Sequence, residues 1–200
     1  MLDGMIDKYT SFSELAQHER EGTDYRVTAI ERPGSRVLII APHGGRIEVG
    51  TSELAALIAG DEHNLFSFEG LKPRGHNRDL HITSRCFDHP ACLAILSRCS
   101  IAVGIHGCVG ESQIYVGGLD TPLTALLAER MTAAGLPASC AGHKYTGRHA
   151  LNICNRGARK RGAQLELTLN LRQGAARPRV AAAVRAAISE YLGVLSRQMQ

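Results

Sequence analysis

The feature that most constrains the fold is a fully apolar run at residues 37–40, Val-Leu-Ile-Ile, which leads into an Ala-Pro-His-Gly-Gly turn. A segment with helix-start and helix-stop residues follows at residues 51–59. A continuous apolar strand, expected here over residues 36–41, is typical of a strand buried on both faces of a largely parallel sheet. Helices must then cover both faces, so the run predicts an α/β fold.

Strand and helix signals alternate along the rest of the chain in the same way. Strands are expected at residues 25–30, 36–41, 65–68, 79–84, 101–105, 113–117, 137–141 and 164–172. Helices are expected at residues 9–21, 51–59, 88–97, 121–134 and 179–195. Since no repeat or change of composition divides the chain, we predict one three-layer α/β domain over residues 1–200, with a mixed, mostly parallel sheet.

Composition excludes several classes of function. Hydrophobic residues make up 44% and charged residues 21% of the 200 residues, which are values of a globular protein with a real core. Trp is absent and aromatic residues make up 4%, which argues against stacking platforms for single-stranded nucleic acid. The formal net charge is +4, and the basic cluster at residues 156–161 is typical of a solvated loop. We expect no nucleic-acid partner, whereas a mildly basic surface suits a polyanionic substrate.

The cysteines and the amino terminus indicate a cellular compartment. None of the six cysteines forms a C-x-x-C pair, so free, buried thiols in a reducing compartment are the simplest interpretation. The amino terminus has no basic region followed by an apolar core, and no apolar run approaches the length of a membrane span. We expect a protein made in the cytoplasm, without a signal peptide and without a membrane partner.

Two histidines stand at the ends of predicted strands, His43 after the first apolar run and His106 in a second strand-His-Gly context. In open sheets of this kind, ligands bind beyond the carboxyl ends of the strands. With Glu48 the histidines would supply three ligands and leave a fourth position for water, the usual plan of a catalytic zinc site. Mn, Co and Fe accept the same donors, and the glycine turn is also compatible with a plain strand-to-helix connection.

Seven short segments, taken in order, resemble the poly-γ-glutamate hydrolases of phages and bacteria, which have a zinc-carboxypeptidase-like fold. The resemblance covers the chain from Tyr9 to about Arg172. The matching segments are residues 13–22, 41–48, 80–84, 104–107, 116–120, 152–156 and 162–166. Each segment is weak alone, and their order makes the resemblance specific.

The resemblance implies roles for four residues. His43, Glu48 and His106 correspond to the Zn2+ ligands, and Glu166 to the catalytic glutamate that carboxypeptidase-like enzymes carry on a late strand. Ordinary zinc carboxypeptidases have Glu three residues after the first His, whereas the longer step from His43 to Glu48 is similar to that of the poly-γ-glutamate hydrolases. The implied activity is zinc-dependent cleavage of γ-glutamyl amide bonds of poly-γ-glutamate, through a metal-activated water and a glutamate base.

A substrate with a carboxylate on every repeat requires cationic side chains near the cleft. An arginine fork suits both a substrate carboxylate and the oxyanion of an acyl-transfer reaction. Arg156 is the first candidate and Arg85 the second, with Arg46 and Arg78 as further possibilities.

Alternatives to this activity stay open at the level of the sequence. Glu166 lies on the polar side of an alternating segment, which also fits a solvated glutamate. One alternative enzyme is a zinc-dependent deacylase or amidase that acts on an N-acyl amino acid or another γ-linked peptide. A second alternative is a binding module that retains the polymer without cleaving it, although the presence of all four site residues favours an enzyme. By family analogy, a cytoplasmic product would reach an extracellular polymer only after cell lysis or by another route.

Overall fold

The computed structural model describes residues 7–198 of the chain and contains seven strands and six α-helices in that range. The strands are β1 (Tyr25–Ile30), β2 (Val37–Gly45), β3 (Asn64–Gly70), β4 (Ile101–Gly107), β5 (Ile114–Gly118), β6 (Ala138–Ser139) and β7 (Ala163–Leu167). The helices are α1 (Phe12–His18), α2 (Thr51–Ala59), α3 (Pro90–Leu96), α4 (Thr121–Ala133), α5 (Leu169–Arg172) and α6 (Ala176–Arg197). Two short 3-10 turns are formed by Asn77–Leu80 and Ile153–Arg156.

All seven strands belong to one sheet, in the order β1-β3-β2-β4-β7-β5-β6. The central strands β3, β2, β4 and β7 run parallel to one another. Antiparallel pairs occur between β1 and β3 and between β5 and β7, and β6 is parallel to β5. The prediction of a mixed, mostly parallel sheet in a single domain is therefore confirmed, with β1 at one edge.

Helices cover both faces of the sheet because its central strands are apolar on both sides. In β2, Val37 and Ile39 contribute to the core on one face and Leu38 and Ile40 to the core on the other, each at most 1% exposed. Helices α2, α4 and α6 pack on the first face, and α1 and α3 on the second. Burial of each large aliphatic side chain stabilises the fold by roughly 1.5–3 kcal/mol. The predicted three-layer arrangement is thus confirmed.

The prediction of a strand at residues 79–84 is wrong. Its first residues belong to the 3-10 turn Asn77–Leu80, and the rest is irregular. The carboxylate of Asp7 accepts hydrogen bonds from the backbone N and from Oγ1 of Thr83, both at 2.6 Å. A side chain from the amino-terminal segment therefore occupies the donor that a neighbouring strand would have used.

The strand predicted over residues 164–172 ends early. β7 stops at Leu167, and α5 turns the chain immediately afterwards. Leu169, which the alternating pattern placed inside, is 50% exposed, whereas Arg172, which it placed outside, is 8% exposed. The alternating pattern predicted the strand period of the side chains but not the turn of the chain at α5. This turn buries Arg172.

The amino-terminal helix is shorter than the predicted residues 9–21. The Ser11 side chain accepts a hydrogen bond from the Glu14 backbone N, which starts α1, and the helix ends at His18. Residues 1–6, which carry most of the segment used to predict the absence of a signal peptide, lie outside the described residues. Within residues 7–198, no helix has the length and apolar character needed to cross a bilayer.

Candidate metal centre and active site

The sheet topology brings the candidate site residues to one edge. β2, β4 and β7 are neighbouring parallel strands, so their carboxyl ends meet at the same side of the domain. His43 lies near the end of β2, His106 near the end of β4 and Glu166 near the end of β7. His106 and Glu166 are direct partners in the register of β4 and β7. This edge is where ligands bind in open parallel sheets.

A tight turn after β2 carries Glu48 back to His43. Gly45 has a φ of +61°, and a Cβ atom there would come within 2.7 Å of the Gly70 carbonyl oxygen, so only glycine fits. The Glu48 backbone N donates to the His43 carbonyl oxygen at 2.9 Å, and Thr51 Oγ1 donates to the Glu48 carbonyl oxygen at 2.8 Å. The glycine turn therefore places the carboxylate beside the histidine.

His43, Glu48 and His106 form a compact, buried cluster. His43 Nδ1 lies 3.2 Å from His106 Nδ1 and 3.3 Å from Glu48 Oε1. One donor atom from each residue lies within 4.8 Å of the others, a spacing that allows a single metal ion to contact all three. Glu48 Oε2 accepts a hydrogen bond from the Gly107 backbone N at 2.7 Å, which fixes the carboxylate. The three residues are 2%, 9% and 2% exposed.

The orientation of the two imidazoles shows that the cluster fits a cation. His43 Nε2 lies 2.8 Å from the Ile82 carbonyl oxygen, which can only accept, so Nε2 carries the hydrogen and donates. His106 Nε2 lies 3.4 Å from Ser84 Oγ on its outer side. The inward Nδ1 atoms and a carboxylate oxygen therefore converge as acceptors and need a proton or a metal ion between them. Two imidazole nitrogens and one carboxylate oxygen suit zinc.

Burial and mutual charge set the protonation of the metal-free cluster. Burial opposes a charged His43, but Glu48 outweighs it and raises the pKa of His43. Burial and the neighbouring His43 lower the pKa of His106 to about 3. Burial also disfavours a charged Glu48, but His43 outweighs it and lowers the pKa of Glu48 to about 2. A proton on His43 thus occupies the place for which a metal ion would compete.

Glu166 lines the same cavity as the cluster. This cavity has a volume of about 340 Å³, and His43, Glu48, His106 and Glu166 all contribute to its wall. Burial, followed by the negative charge of Glu48, raises the pKa of Glu166 well above its usual value. A carboxyl group with a raised pKa is suited to proton transfer near neutral pH.

Arg172 belongs to this region, although the sequence did not indicate it. Its Nε donates to the Val49 carbonyl oxygen at 2.7 Å, and its Nη1 donates to the carbonyl oxygens of Cys108, at 3.3 Å, and Leu167. Val49 and Leu167 each follow a candidate site residue by one position, and Cys108 follows His106 by two. A Cβ atom on Gly107 would come within 2.6 Å of Arg172 Cζ, so glycine is required there for the guanidinium to fit. Only the turn in α5 makes this approach possible.

Asp7 and His81 support the cluster through contacts with His43 and with the segment that binds it. The His81 ring stacks on the His43 ring with centroids 4.0 Å apart. Asp7 Oδ1 lies 2.7 Å from His81 Nδ1, and Asp7 also binds the backbone N of Thr83. Asp7 thus holds the segment that presents the Ile82 carbonyl oxygen to His43. No sequence signal identified Asp7, because this contact joins residues more than 70 positions apart.

The structure places the two main arginine candidates differently. Arg85 is exposed and lines a second cavity, of about 230 Å³, which shares Glu166 with the first. Arg156 lies in a 3-10 turn, and its Nη1 donates to the Phe87 carbonyl oxygen at 3.0 Å. Arg156 is not among the described residues that line either cavity. A substrate contact stays a prediction for both.

The two further arginine candidates also differ in position. Arg78 lines the first cavity and forms an ion pair with Asp7 at 3.1 Å. Arg46 is directed elsewhere, because its Nη1 donates to the carbonyl oxygens of Leu71, at 3.1 Å, and Lys72, at 2.9 Å. Among the described residues, Arg78 is therefore the one arginine candidate of the four that lines the first cavity.

The α/β fold and the site at its strand ends define a hydrolytic enzyme. A sequence model of the poly-γ-glutamate hydrolases matches residues 9–178, and the chain belongs to this family. The chain is 38% identical to the UPF0714 protein YmaC of Bacillus subtilis over 170 residues, 84% of this chain and 71% of YmaC. It is 39% identical to YndL of the same organism over 84% of this chain and 66% of YndL.

Solved structures agree with this assignment. A bacteriophage poly-γ-glutamate hydrolase matches 94% of this chain and 100% of its own, with a TM-score of 0.89 and 31% identity. The zinc-free apo form of YndL matches 92% of this chain and 98% of its own, with a TM-score of 0.82 and 31% identity. A predicted carboxypeptidase from Burkholderia mallei shares the fold alone, with a TM-score of 0.50 and 17% identity over 85% of this chain and 60% of its own. The expected carboxypeptidase-like fold is confirmed.

Proposed function

We propose that this chain is a zinc-dependent hydrolase that cleaves γ-glutamyl amide bonds of poly-γ-glutamate. The observation that carries the proposal is the convergence of His43, Glu48 and His106 on one point, in a cavity that Glu166 also lines. Membership of the poly-γ-glutamate hydrolase family supports the substrate class. The proposed single hydrolase domain extends over residues 1–200.

Zinc is the metal that the donor set favours, and His43, Glu48 and His106 would hold it. When bound, zinc lowers the pKa of a coordinated water to about 7 and polarises a carbonyl group. The apo form of the related YndL is described as zinc-free, which supports the same choice. The hydrogen bonds from His43 to Ile82 and from Gly107 to Glu48 keep the ligands oriented before the metal binds.

Glu166 is the proposed general base and acid. Its position on the wall of the cavity, next to the cluster, allows it to take a proton from the attacking water and pass it to the leaving amine. Burial and Glu48 raise the pKa of Glu166, so the carboxyl group holds a proton more readily than an exposed glutamate. Its Oε1 lies 3.4 Å from Gln164 Nε2, a polar contact that orients the carboxyl group.

Cations around the cavity suit a polyanionic substrate. Arg78 lines the cavity itself, and Arg85 lies beside Glu166 in the adjoining cavity. Arg85 is the proposed substrate contact that these positions favour. Arg156 remains a second proposed contact, which requires its guanidinium to leave the Phe87 carbonyl oxygen.

The decisive experiment is incubation of the zinc-loaded protein with poly-γ-glutamate, followed by sizing of the products. Shortening of the polymer by the parent, and its loss in Glu166→Gln, are the expected results. An intact polymer, together with cleavage of a small N-acyl amino acid, would instead identify a deacylase or amidase. Retention of the polymer without cleavage would identify a binding module.

A further inference from the structure

The second cavity adjoins the proposed catalytic groups. It shares Thr83, Ser84, Tyr145 and Glu166 with the first cavity, so the two form neighbouring parts of one cleft. Its other wall is formed mainly by residues 144–149, named here the basic loop, together with Arg85. Any group bound there would lie directly beside Glu166.

Buried side chains fasten the basic loop in place. Asn155, which is 1% exposed, donates from Nδ2 to the carbonyl oxygens of Gly147, at 2.7 Å, and His149, at 3.0 Å. Gln164, 5% exposed and two residues before the proposed base, donates from Nε2 to the Tyr145 carbonyl oxygen at 3.4 Å. The loop is therefore held both by the 3-10 turn Ile153–Arg156 and by β7, the strand that carries Glu166.

The second cavity concentrates positive charge. Arg85 and Arg148 are both exposed, and neither pairs with a carboxylate among residues 7–198. Lys144 adds a third cation to the same wall. Glu166 is the only acidic residue among those that line this cavity within the described part of the chain. Two exposed guanidinium groups that lack a carboxylate partner in the described part of the chain are suited to an external anion.

The chemistry of a γ-linked polymer places a carboxylate at this position. In such a chain, the amide nitrogen is attached to a Cα atom that also carries a free carboxylate. This free carboxylate is therefore close to any group that passes a proton to the leaving nitrogen. If Glu166 protonates the leaving amine, as the proposed function requires, the adjacent carboxylate falls within the cavity that Arg85 and Arg148 line.

We propose that Arg85 and Arg148 form a carboxylate subsite for the α-carboxylate of the residue on the leaving side of the scissile γ-glutamyl bond. Lys144 strengthens the positive potential of this subsite. At an internal bond of an α-linked peptide the side-chain carboxylate lies farther from the leaving nitrogen, so at internal bonds the subsite favours γ-linked substrates. This inference rests on the proposed function and extends it to the group that the enzyme recognises.

Charge-neutral variants test the subsite. Arg85→Gln, Arg148→Gln and the double variant are compared with Arg161→Gln, which removes an exposed arginine near the amino end of β7, away from Glu166. The substrates are a γ-linked glutamate oligomer and the same oligomer with amidated α-carboxylates. We expect the double variant to raise KM for the free acid by roughly tenfold or more with little change in kcat. On the amidated oligomer, it should match the parent.

The outcomes separate the two proposals. If the parent cleaves the free-acid oligomer and the double variant has the same KM as Arg161→Gln, the subsite proposal is overturned. The proposed function is then left intact. An equal loss on both oligomers would also overturn it, because the effect would not depend on the carboxylate. If the parent cleaves neither oligomer, the proposed function fails. Calorimetric binding of the free-acid oligomer in a Glu166→Gln background then tests the subsite, and unchanged affinity in the double variant overturns it.

Discussion

Arg172 Nε donates to the Val49 carbonyl oxygen at 2.7 Å, although the two residues are 123 positions apart in the chain. The same guanidinium binds the carbonyl oxygens of Cys108 and Leu167. One buried cation thus joins the segments that follow Glu48, His106 and Glu166. It fixes the relative positions of the strand ends on which the proposed chemistry depends.

Removal of this cation should destabilise the protein. Arg172→Met would leave the carbonyl oxygens of Val49 and Cys108 without this donor, and each buried unsatisfied group costs about 1–3 kcal/mol. The Leu167 carbonyl oxygen would keep the hydrogen bond from the Cys108 backbone N at 2.9 Å. We expect the free energy of unfolding, measured by urea denaturation, to fall by about 3 kcal/mol or more. Arg179→Met is the matched control, because exposed Arg179 binds a single carbonyl oxygen, that of Ala134, at 2.7 Å. Equal losses in the two variants would contradict a special role for Arg172.

The cluster predicts the metal content of the protein. His43→Ala and His106→Ala each remove one of three protein ligands, so both variants should lose most of the zinc found in the parent. Metal analysis after purification without chelator measures this directly. His63→Ala is the control, since His63 is also buried, at 8% exposed, but lies outside the cluster. Near-stoichiometric zinc in either ligand variant would show that the metal binds elsewhere.

Glu166→Gln should separate metal binding from turnover. The amide is close in size to the carboxyl group but cannot accept the proton of the attacking water, so kcat should fall by roughly 10²–10⁴-fold. Zinc content should stay at the parental level because Glu166 is not one of the three clustered donors. A fully active variant would remove Glu166 as the base, and a zinc-free variant would make it a ligand.

Asp7 should influence the metal although it does not touch it. Asp7→Ala frees the segment that presents the Ile82 carbonyl oxygen to His43, and loss of such orienting contacts weakens metal binding by roughly 10- to 100-fold. Competition with a chelator of known affinity measures this change. Asp88→Ala is the control, since Asp88 binds the Phe12 backbone N at 2.6 Å and anchors the same amino-terminal region. Equal zinc affinities in the two variants would show that Asp7 anchors the amino-terminal region without orienting the metal ligands.

The metal-free cluster should make stability depend on pH in both directions. The pKa of His43 is raised above the ordinary 6.5, so its stabilising effect is complete below about pH 6.5 and is lost as the pH rises through the raised value. Burial, together with His43, lowers the pKa of His106 to about 3, so the unfolded chain binds the extra proton first. Stability is then lost as the pH falls from about 6.5 towards 3.

Urea unfolding of the chelated protein over a range of pH values checks this expectation. The contribution of the cluster should be greatest near pH 6.5, the ordinary value of both histidines. His106→Gln should reduce the loss of stability between about pH 6.5 and 4.5 and retain the loss on the alkaline side. Some acid loss should persist, because burial also lowers the pKa values of His63, His81 and His89. An unchanged acid limb in this variant would show that other groups govern it.

Much of the fold was accessible from local patterns. The apolar run in β2, the strand before His106 and the helices α2 and α4 follow from period, length and glycine or proline punctuation, which are properties of the chain itself. The prediction at residues 79–84 failed because Asp7, far away in the chain, binds the backbone of Thr83. The pattern at residues 164–172 failed because the apolar-polar alternation of the sequence continues into α5, where the chain turns, so that Leu169 is exposed and Arg172 is buried.

By itself, the sequence determined an α/β sheet, two histidines at strand ends and a glycine turn that allows Glu48 to return to His43. Those features depend on neighbouring residues, so the order of residues is sufficient to predict them. Only the tertiary structure decided that His43, Glu48 and His106 meet within 4.8 Å, that Arg172 is buried beneath them and that Arg85 and Arg148 lie on one wall beside Glu166. These contacts join distant segments, and strand order and chain turns set their distances.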